Sequence, residues 1–299
     1  MELLQLQYFV TVARLEHVTE AAQSLHVTQS SLSRTIARLE EDLGVPLFDR
    51  NGRRLKLNDY GSRFLLRAER VLFELAQGRQ ELQYLAGQEP ATLELAVTAA
   101  SALPNILRAF RQKRPDIHFH VQMLTTREMT DCLLRGEVDF CLSSPSFEAE
   151  EIETRIVYND PLMVAVPKGH RLANRSAIAL SELKNEWFVG VKKGYGTRDL
   201  ADSVCSAEGF VPHYVYEGDE PSRLIQLVEA EIGIAFIPGT AMDSRGMVSY
   251  LQVNNDKLVR EIALLWNKGR YLSPAACEFR EVVIGYFTGL EQVYVNESN

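Results

Sequence analysis

Residues 19–44, TEAAQSLHVTQSSLSRTIARLEEDLG, decide the architecture of this chain. Leu32, Ile36, Leu39 and Leu43 fall at steps of four, three and four, the spacing of one buried helical stripe. Thr28 stands before that stripe as an N-cap, and Gly44 follows it as a stop. At about 100° per residue, Ser30, Arg34, Ala37 and Glu41 occupy the opposite face, with Arg38 beside them. The exposed start of the helix thus gathers small, polar and basic groups: Thr28, Gln29, Ser30, Ser31, Ser33 and Arg34. Hydroxyls and guanidinium groups so placed suit base edges and phosphates in a DNA major groove.

Working outward, Thr19 is the expected N-cap of a shorter helix running to about Leu25, with Glu20 in its first turn. Ala21 and Ala22 keep one of its faces small, so a neighbouring helix can approach. Leu3, Leu6, Phe9, Val10 and Ala13 give helical spacing to residues 3–15. On the other side, Leu47-Phe48 and Leu55-Lys56-Leu57 predict two short strands joined by a turn over Asp49–Arg54, where Asn51-Gly52 is a strong hairpin signal. Arg50, Arg53 and Arg54 at such a tip suit a wing resting on the phosphate backbone. Spacing alone leaves open a plainer alternative, a three-helix unit whose basic face is merely solvated.

Charge sharpens this. The 299-residue chain has a net charge of -8, which opposes a general nucleic-acid binder. Residues 1–58, however, hold seven Lys/Arg and seven Asp/Glu, so the rest of the chain carries the whole excess. Six of the seven basic residues lie between 34 and 56. A compact basic face can hold phosphates locally while an acidic body limits non-specific adhesion.

Residues 60–86 contain no Pro, and Phe64, Ala68, Val71, Leu75, Leu82 and Leu85 follow a heptad step, with Gly78 in one seam position. About 26 helical residues would span about 39 Å. Such a rod suits dimerisation, and the alternative is packing on its own chain. Gly87-Gln88-Glu89-Pro90 marks a hinge. Beyond residue 91, strand-like and helix-like segments alternate (Leu93–Val97, Leu103–Lys113, Ile117–Met123, Met129–Arg135, Val138–Leu142, Leu162–Val166, and on to Ile232–Ile237), which predicts parallel sheets covered by helices. A last helix is expected over Pro274–Glu291.

Several classes are disfavoured. No run of about 18 apolar residues occurs, so no membrane partner is expected. Met1–Gln5 shows neither a basic nor an apolar signal region, so the expectation is a cytoplasmic protein. Cys132, Cys141, Cys205 and Cys277 form no C-x-x-C pair, which fits a reducing compartment and flags no redox switch. His118 and His120 share a strand face but lack a third metal ligand. No G-x-S-x-G, H-E-x-x-H or P-loop spacing is present, so neither an enzyme nor a cofactor is expected.

Residues 19–34 and their continuation, Leu39-Glu40-Glu41-Asp42-Leu43-Gly44-Val45-Pro46-Leu47-Phe48-Asp49-Arg50, resemble the helix-turn-helix of LysR-type transcriptional regulators. Leu133–Asp139 (LLRGEVD), Val164–Ala173 (VAVPKGHRLA) and Ile232–Pro238 (IGIAFIP) resemble later segments of the same family, so the likeness covers nearly the whole chain. The opening residues most resemble the branch that regulates glutamate metabolism. The resemblance implies a multidomain fold: a winged helix-turn-helix over 1–58, a linker/dimerisation helix and hinge over 59–90, and an effector-binding domain over 91–299. That domain would resemble the two-lobed α/β fold of periplasmic solute-binding proteins, with lobe 1 at about 91–161 and 267–299 and lobe 2 at about 162–266. It implies double-stranded DNA, a small effector and a homodimer or homotetramer (a dimer of dimers), with RNA polymerase a candidate partner. By match to the family motif, Gln29, Ser30, Ser33 and Arg34 carry most helix contacts to DNA, and Arg50, Arg53 and Arg54 hold the backbone from the wing. The chain departs from the family at Val18-Thr19, at Asn58-Asp59-Tyr60-Gly61 and at Glu231, where a Gly is frequent.

Ligands of open α/β sheets bind beyond the carboxyl ends of strands. Thr98, Ala100 and Ser101 fall there after the first strand, Thr125 and Thr126 after the second, and Lys192, Gly194 and Thr197 in a Gly-rich basic loop. Together they predict an anionic ligand, a carboxylate or phosphate; the alternative is that Lys192 and Lys193 are only solvated. A solute-binding protein without a regulatory role is the competing class, opposed by the attached helix-turn-helix.

Overall fold

The computed structural model describes residues 1–51, 54–87, 92–98, 101–242 and 246–297, with backbone alone at 50, 51, 54, 80, 84, 291 and 293–297. The chain divides into two compact units. One is Met1–Pro90 with the short segments Leu134–Glu137 and Gly269–Ser273; the other comprises Ala91–Leu133, Val138–Lys268 and Pro274–Asn299.

The first unit begins with helices α1 (Leu3–Leu15), α2 (Val18–Ser24) and α3 (Gln29–Leu43), followed by strands β1 (Phe48–Asn51) and β2 (Arg54–Leu57) and the long helix α4 (Asp59–Leu85). Phe9, Leu32 and Leu39 are fully buried at its centre with Ala21 and Ala22, as the stripe and the small face require. Thr28 caps α3 by accepting the Ser31 N–H at 3.2 Å, and Gly44 ends it at φ 73°. The cap of α2 differs from expectation: His17, not Thr19, precedes the helix, and its Nδ1 accepts the Glu20 N–H. The expected turn over 49–54 is shorter too, since β1 and β2 are antiparallel partners out to Asn51 and Arg54.

Entry into α4 rests on two residues, Asn58 and Gly61. Asn58 Oδ1 accepts the Gly61 N–H at 2.8 Å, so Asn58 caps the helix. A Cβ at Gly61 would lie 2.1 Å from the Leu47 carbonyl oxygen, so only glycine fits under the wing. The heptad seam of α4 divides in two. Phe64 and Ala68 pack into the helix-turn-helix core, whereas Val71, Leu75, Leu82 and Leu85 are exposed.

The second unit runs β3 (Thr92–Val97), α5 (Leu103–Lys113), β4 (His118–Met123), α6 (Thr126–Arg135), β5 (Phe140–Ser143), β6 (Ile152–Pro167), β7 (Ala177–Ile178), β8 (Trp187–Val191), α7 (Gly196–Ala207), β9 (His213–Gly218), α8 (Leu224–Glu229), β10 (Ala235–Pro238), β11 (Val248–Val253), β12 (Val259–Asn267) and α9 (Pro274–Glu297). A curled sheet is ordered β4-β3-β5-β12-β6-β11-β7 with β10 also on β6, and β8-β9 form a separate pair. The result is two-lobed. The sheet is mixed, which corrects the expectation of parallel sheets. β3-β4, β3-β5 and β8-β9 are parallel, but β6 runs antiparallel to β10, β11 and β12. Long β6 and its partner β12 are the crossing strands. β12 pairs with β5 over Ala263–Leu265, so the chain is back beside the first lobe's strands before residue 267. Separate apolar cores fill the second lobe on either side of β6, with Phe188 and Phe236 stacked in one of them.

Candidate nucleic-acid interface and effector cleft

On α3 the stripe Leu32, Ile36 and Leu39 is buried, and Gln29, Ser30, Ser31, Ser33, Arg34, Ala37 and Arg38 are all exposed with Thr28 beside them. Among the described residues neither Arg34 nor Arg38 has an ion-pair partner, so both guanidinium groups face solvent with their donors available. The side chains of Arg50 and Arg54 and the whole of Arg53 lie outside the described residues. Glu40 is a positioning residue that sequence reasoning missed. Its Oε1 accepts the Leu47 N–H at 2.7 Å and the Phe48 N–H at 3.3 Å, fastening the wing strand to α3. A Glu one step from the buried stripe hinted at this, but its partner seven residues on is set by the turn at Gly44.

The candidate effector residues divide into groups. Ser101, just before α5, meets Thr240 from the segment after β10, with hydroxyl oxygens 2.7 Å apart. Thr98 Oγ1 accepts the Ser144 N–H at 2.8 Å and donates to the Ser144 carbonyl at 3.2 Å, tying the ends of β3 and β5 together. A Cβ at Gly196 would lie 3.5 Å from Ser144 O and Pro145 Cδ, so the start of α7, with half-buried Thr197, approaches the same place. Thr125 and Thr126 are not brought there. Thr125 is engaged with Glu128 at the start of α6, donating its N–H at 2.8 Å and its hydroxyl at 2.7 Å. Those bonds hold the Glu128 carboxyl below its usual range, backbone donor first. Ala100 lies outside the described residues.

The basic loop is largely engaged with its own neighbours. Lys192 Nζ donates to Asp219 at 2.7 Å, and that carboxylate raises the lysine above its ordinary range. Gly194, at φ 94°, donates its N–H to Asp199. Arg198 turns inward, bonding Asp202, Glu217 and the Val191 carbonyl while its guanidinium stacks 3.4 Å over Tyr214. Burial opposes its charge, and the hydrogen bond it donates to Asp202 leads the effects that more than offset this. Tyr214 is pushed upward by burial and then by Asp202.

Three residues that the sequence did not single out surround Ser101. Asp160 on β6 and Arg260 on β12 are direct cross-strand partners, and their ion pair closes at 2.8 Å. Asp160 is fully buried. It also accepts the Thr240 N–H at 3.0 Å and the Thr240 hydroxyl at 2.7 Å. Their sequence separations of 80 and 100 residues explain why no local pattern shows them. Among the described residues no group of three or more His, Cys, Asp or Glu could hold a metal.

A helix-turn-helix with an exposed basic face, joined to a two-lobed domain with polar groups meeting between the lobes, defines a ligand-responsive DNA-binding regulator. Residues 3–62 match the bacterial regulatory helix-turn-helix proteins of the lysR family, and residues 86–287 match the LysR substrate binding domain. The chain belongs to the lysR family and is a DNA-binding transcription regulator. It is 36% identical to the HTH-type transcriptional regulator YybE of Bacillus subtilis, covering 96% of this chain and 100% of that one. It is 30% identical to the transcriptional dual regulator GltC of the same organism, over 98% and 99% of the two chains. Among solved structures, full-length OxyR C199D of Pseudomonas aeruginosa superposes with a TM-score of 0.71 at 22% identity, over 96% of this chain and 94% of that one. Full-length CbnR complexed with its target DNA superposes with a TM-score of 0.62 at 23% identity, over 96% and 100%. The relatives are regulators, which overturns the alternative of a solute-binding protein without a regulatory role.

Proposed function

We propose that the exposed start of α3 (Thr28, Gln29, Ser30, Ser31, Ser33, Arg34 and Arg38) reads an operator in the major groove, with Arg50, Arg53 and Arg54 on the flanking phosphates. The observation that carries this is the pair of exposed guanidinium groups on α3 opposite a fully buried stripe. The functional division is 1–58 for DNA, 59–90 for the linker and 91–299 for the effector. The exposed half-seam Val71, Leu75, Leu82 and Leu85 supports pairing of two α4 helices, because an unpaired apolar stripe on a long helix costs free energy in water. Two-fold pairing would place two α3 helices on two half-sites, and pairs of dimers would extend that to four. RNA polymerase is the further partner expected of a regulator bound beside a promoter.

A small carboxylate held between the lobes is the proposed effector, with Ser101 and Thr98 on one lobe and Thr197 on the other. Lys192 and Gly194 would form the outer edge of that site; Thr125 and Thr126 are engaged at the start of α6 and take no part in it. Lys192 is held by Asp219, whereas Arg260, held by Asp160, still brings Nη2 to 3.4 Å from Ser101. The effector would favour one interlobe arrangement and so change the spacing or angle of the paired DNA-binding units. The chain acts by binding rather than turnover, inside the cell where its DNA lies; no helix among the described residues is long and apolar enough to cross a membrane. The test is footprinting of DNA upstream of the neighbouring genes, with and without malonate, succinate or citrate. Protection of two half-sites whose bend changes with a carboxylate is expected. A footprint and bend identical under all three would refute effector control, and consumption of any of them would refute the binding role.

A further inference from the structure

The polar cluster between the lobes has a hydrogen-bond direction that geometry alone dictates. Asp160, paired with Arg260, is an acceptor-only carboxylate. Its Oδ2 receives Arg260 Nε at 2.9 Å, Arg260 Nη2 at 2.8 Å and the Thr240 hydroxyl at 2.7 Å. A threonine hydroxyl has one proton, and Thr240 gives it to Asp160. At the 2.7 Å contact between Ser101 and Thr240 the donor is therefore Ser101. The order Ser101 to Thr240 to Asp160 runs from the first lobe, through the second, to the crossing strand. Arg260 Nη2 sits 3.4 Å from both hydroxyl oxygens and faces the acceptor side of each.

We infer that Ser101 and Thr240 form an interlobe latch, oriented by Asp160 and Arg260, and that an acceptor oxygen entering the cleft releases it by taking the Ser101 proton. The release step rests on the effector reading proposed above; the latch itself does not. Ser101 has a single donor, so it cannot serve Thr240 and a carboxylate at once. Binding and latching are mutually exclusive, and this gives an effector a differential affinity for two lobe arrangements. Thr240 cannot be diverted in the same way, because Asp160 is fully buried and would lose one of its donors. The ligand class follows: a carboxylate, which accepts from Ser101 and from Arg260 Nη2 in one approach.

The test uses the full-length chain. In Ser101→Ala, without added ligand, amide hydrogen exchange in residues 101–106 and 238–242 should accelerate about 3–10-fold, the effect of one neutral hydrogen bond, and in Thr240→Val by at least as much, because the bond to Asp160 is lost with it. Thr240→Ser keeps the hydroxyl and should restore wild-type exchange. Citrate, succinate and malonate are then titrated by calorimetry. Whichever binds should bind Thr240→Val about 3–10-fold more tightly, because no latch has to be opened, and Ser101→Ala more weakly. Equal exchange in wild type and Ser101→Ala overturns the latch, and that criterion stands if Thr240→Val does not fold. Faster exchange with no carboxylate bound upholds the latch and overturns both its release by carboxylate and the anionic-effector reading. Equal weakening of carboxylate binding in both variants overturns the release step alone.

Discussion

Replacing Arg34 by Ala isolates the DNA face from the fold. Arg34 lies one turn beyond Ser30 on the exposed side of α3, has no ion-pair partner among the described residues, and is opposite fully buried Leu32 and Leu39. Surface substitutions of that kind change stability by no more than about 0.5 kcal/mol, so the melting temperature should stay within a few degrees of wild type. Binding should respond very differently. A bidentate guanidinium–base contact contributes about 1–3 kcal/mol of discrimination, or about 5–150-fold per half-site. With two half-sites engaged, the loss approaches the square of that factor. The assay is fluorescence anisotropy with operator and scrambled duplexes between 50 and 200 mM salt. If Arg34 reads a base, operator affinity falls while scrambled affinity and the salt slope hardly move, and Arg34→Lys does not rescue. If it holds a phosphate, both duplexes weaken together, the salt slope drops by about one per contact, and Lys rescues. Unchanged operator binding, or a collapse of the melting transition, would refute the assignment of this face.

Three other substitutions or probes follow from local geometry. Gly61→Ala drives a Cβ to 2.1 Å from the Leu47 carbonyl and 2.8 Å from Leu57 Cδ1. It should destabilise by about 1–3 kcal/mol. It should also weaken DNA binding through the wing, read by calorimetry alongside anisotropy; a stable variant with wild-type affinity would contradict that geometry. Glu231→Gly relieves a left-handed backbone at φ 60° just after α8. A side chain there costs about 1–2 kcal/mol, and the greater unfolded freedom of Gly returns about 0.4–1 kcal/mol. The variant should therefore gain about 0.5–1 kcal/mol in chemical denaturation, and a lower midpoint would be a clear failure. Burial pushes the Cys205 thiol up to about 12 and drives Cys141 upward as well. Both should resist iodoacetamide at pH 8 in the native protein and react once unfolded, since the thiolate is the nucleophile. Half-buried Cys277 should label first; fast native labelling of Cys141 would overturn this order.

The local elements of the first unit were legible because each carries its own signal. The 4-3-4 stripe of α3, its Thr28 cap and its Gly44 stop all act within a few residues, and the structure repeats them. Thr19 failed as a cap because His17 two residues earlier supplies a ring nitrogen to the same Glu20 N–H that a local rule assigns to Ser, Thr, Asp or Asn. The left-handed backbone at Glu231 accounts for the glycine frequent there in the family, a departure that sequence could note without explaining.

What the sequence determined by itself was therefore periodicity, capping and charge: the recognition helix, the wing strands, the long seam of α4, and the alternation of strands and helices beyond residue 91. What only the tertiary structure decided was pairing between distant segments. Alternation predicted parallel strands, yet β6 runs antiparallel to three partners, because strand direction depends on which strands meet and not on the strand's own pattern. The seam of α4 likewise divides between core and solvent according to how far the helix-turn-helix extends along it. Thr240 and Arg260 meet Ser101 across gaps of 139 and 159 residues, and Asp160 meets Thr240 across 80. Hydrogen-bond direction at that meeting place is set by a buried carboxylate, a property of three-dimensional surroundings that no stretch of sequence contains.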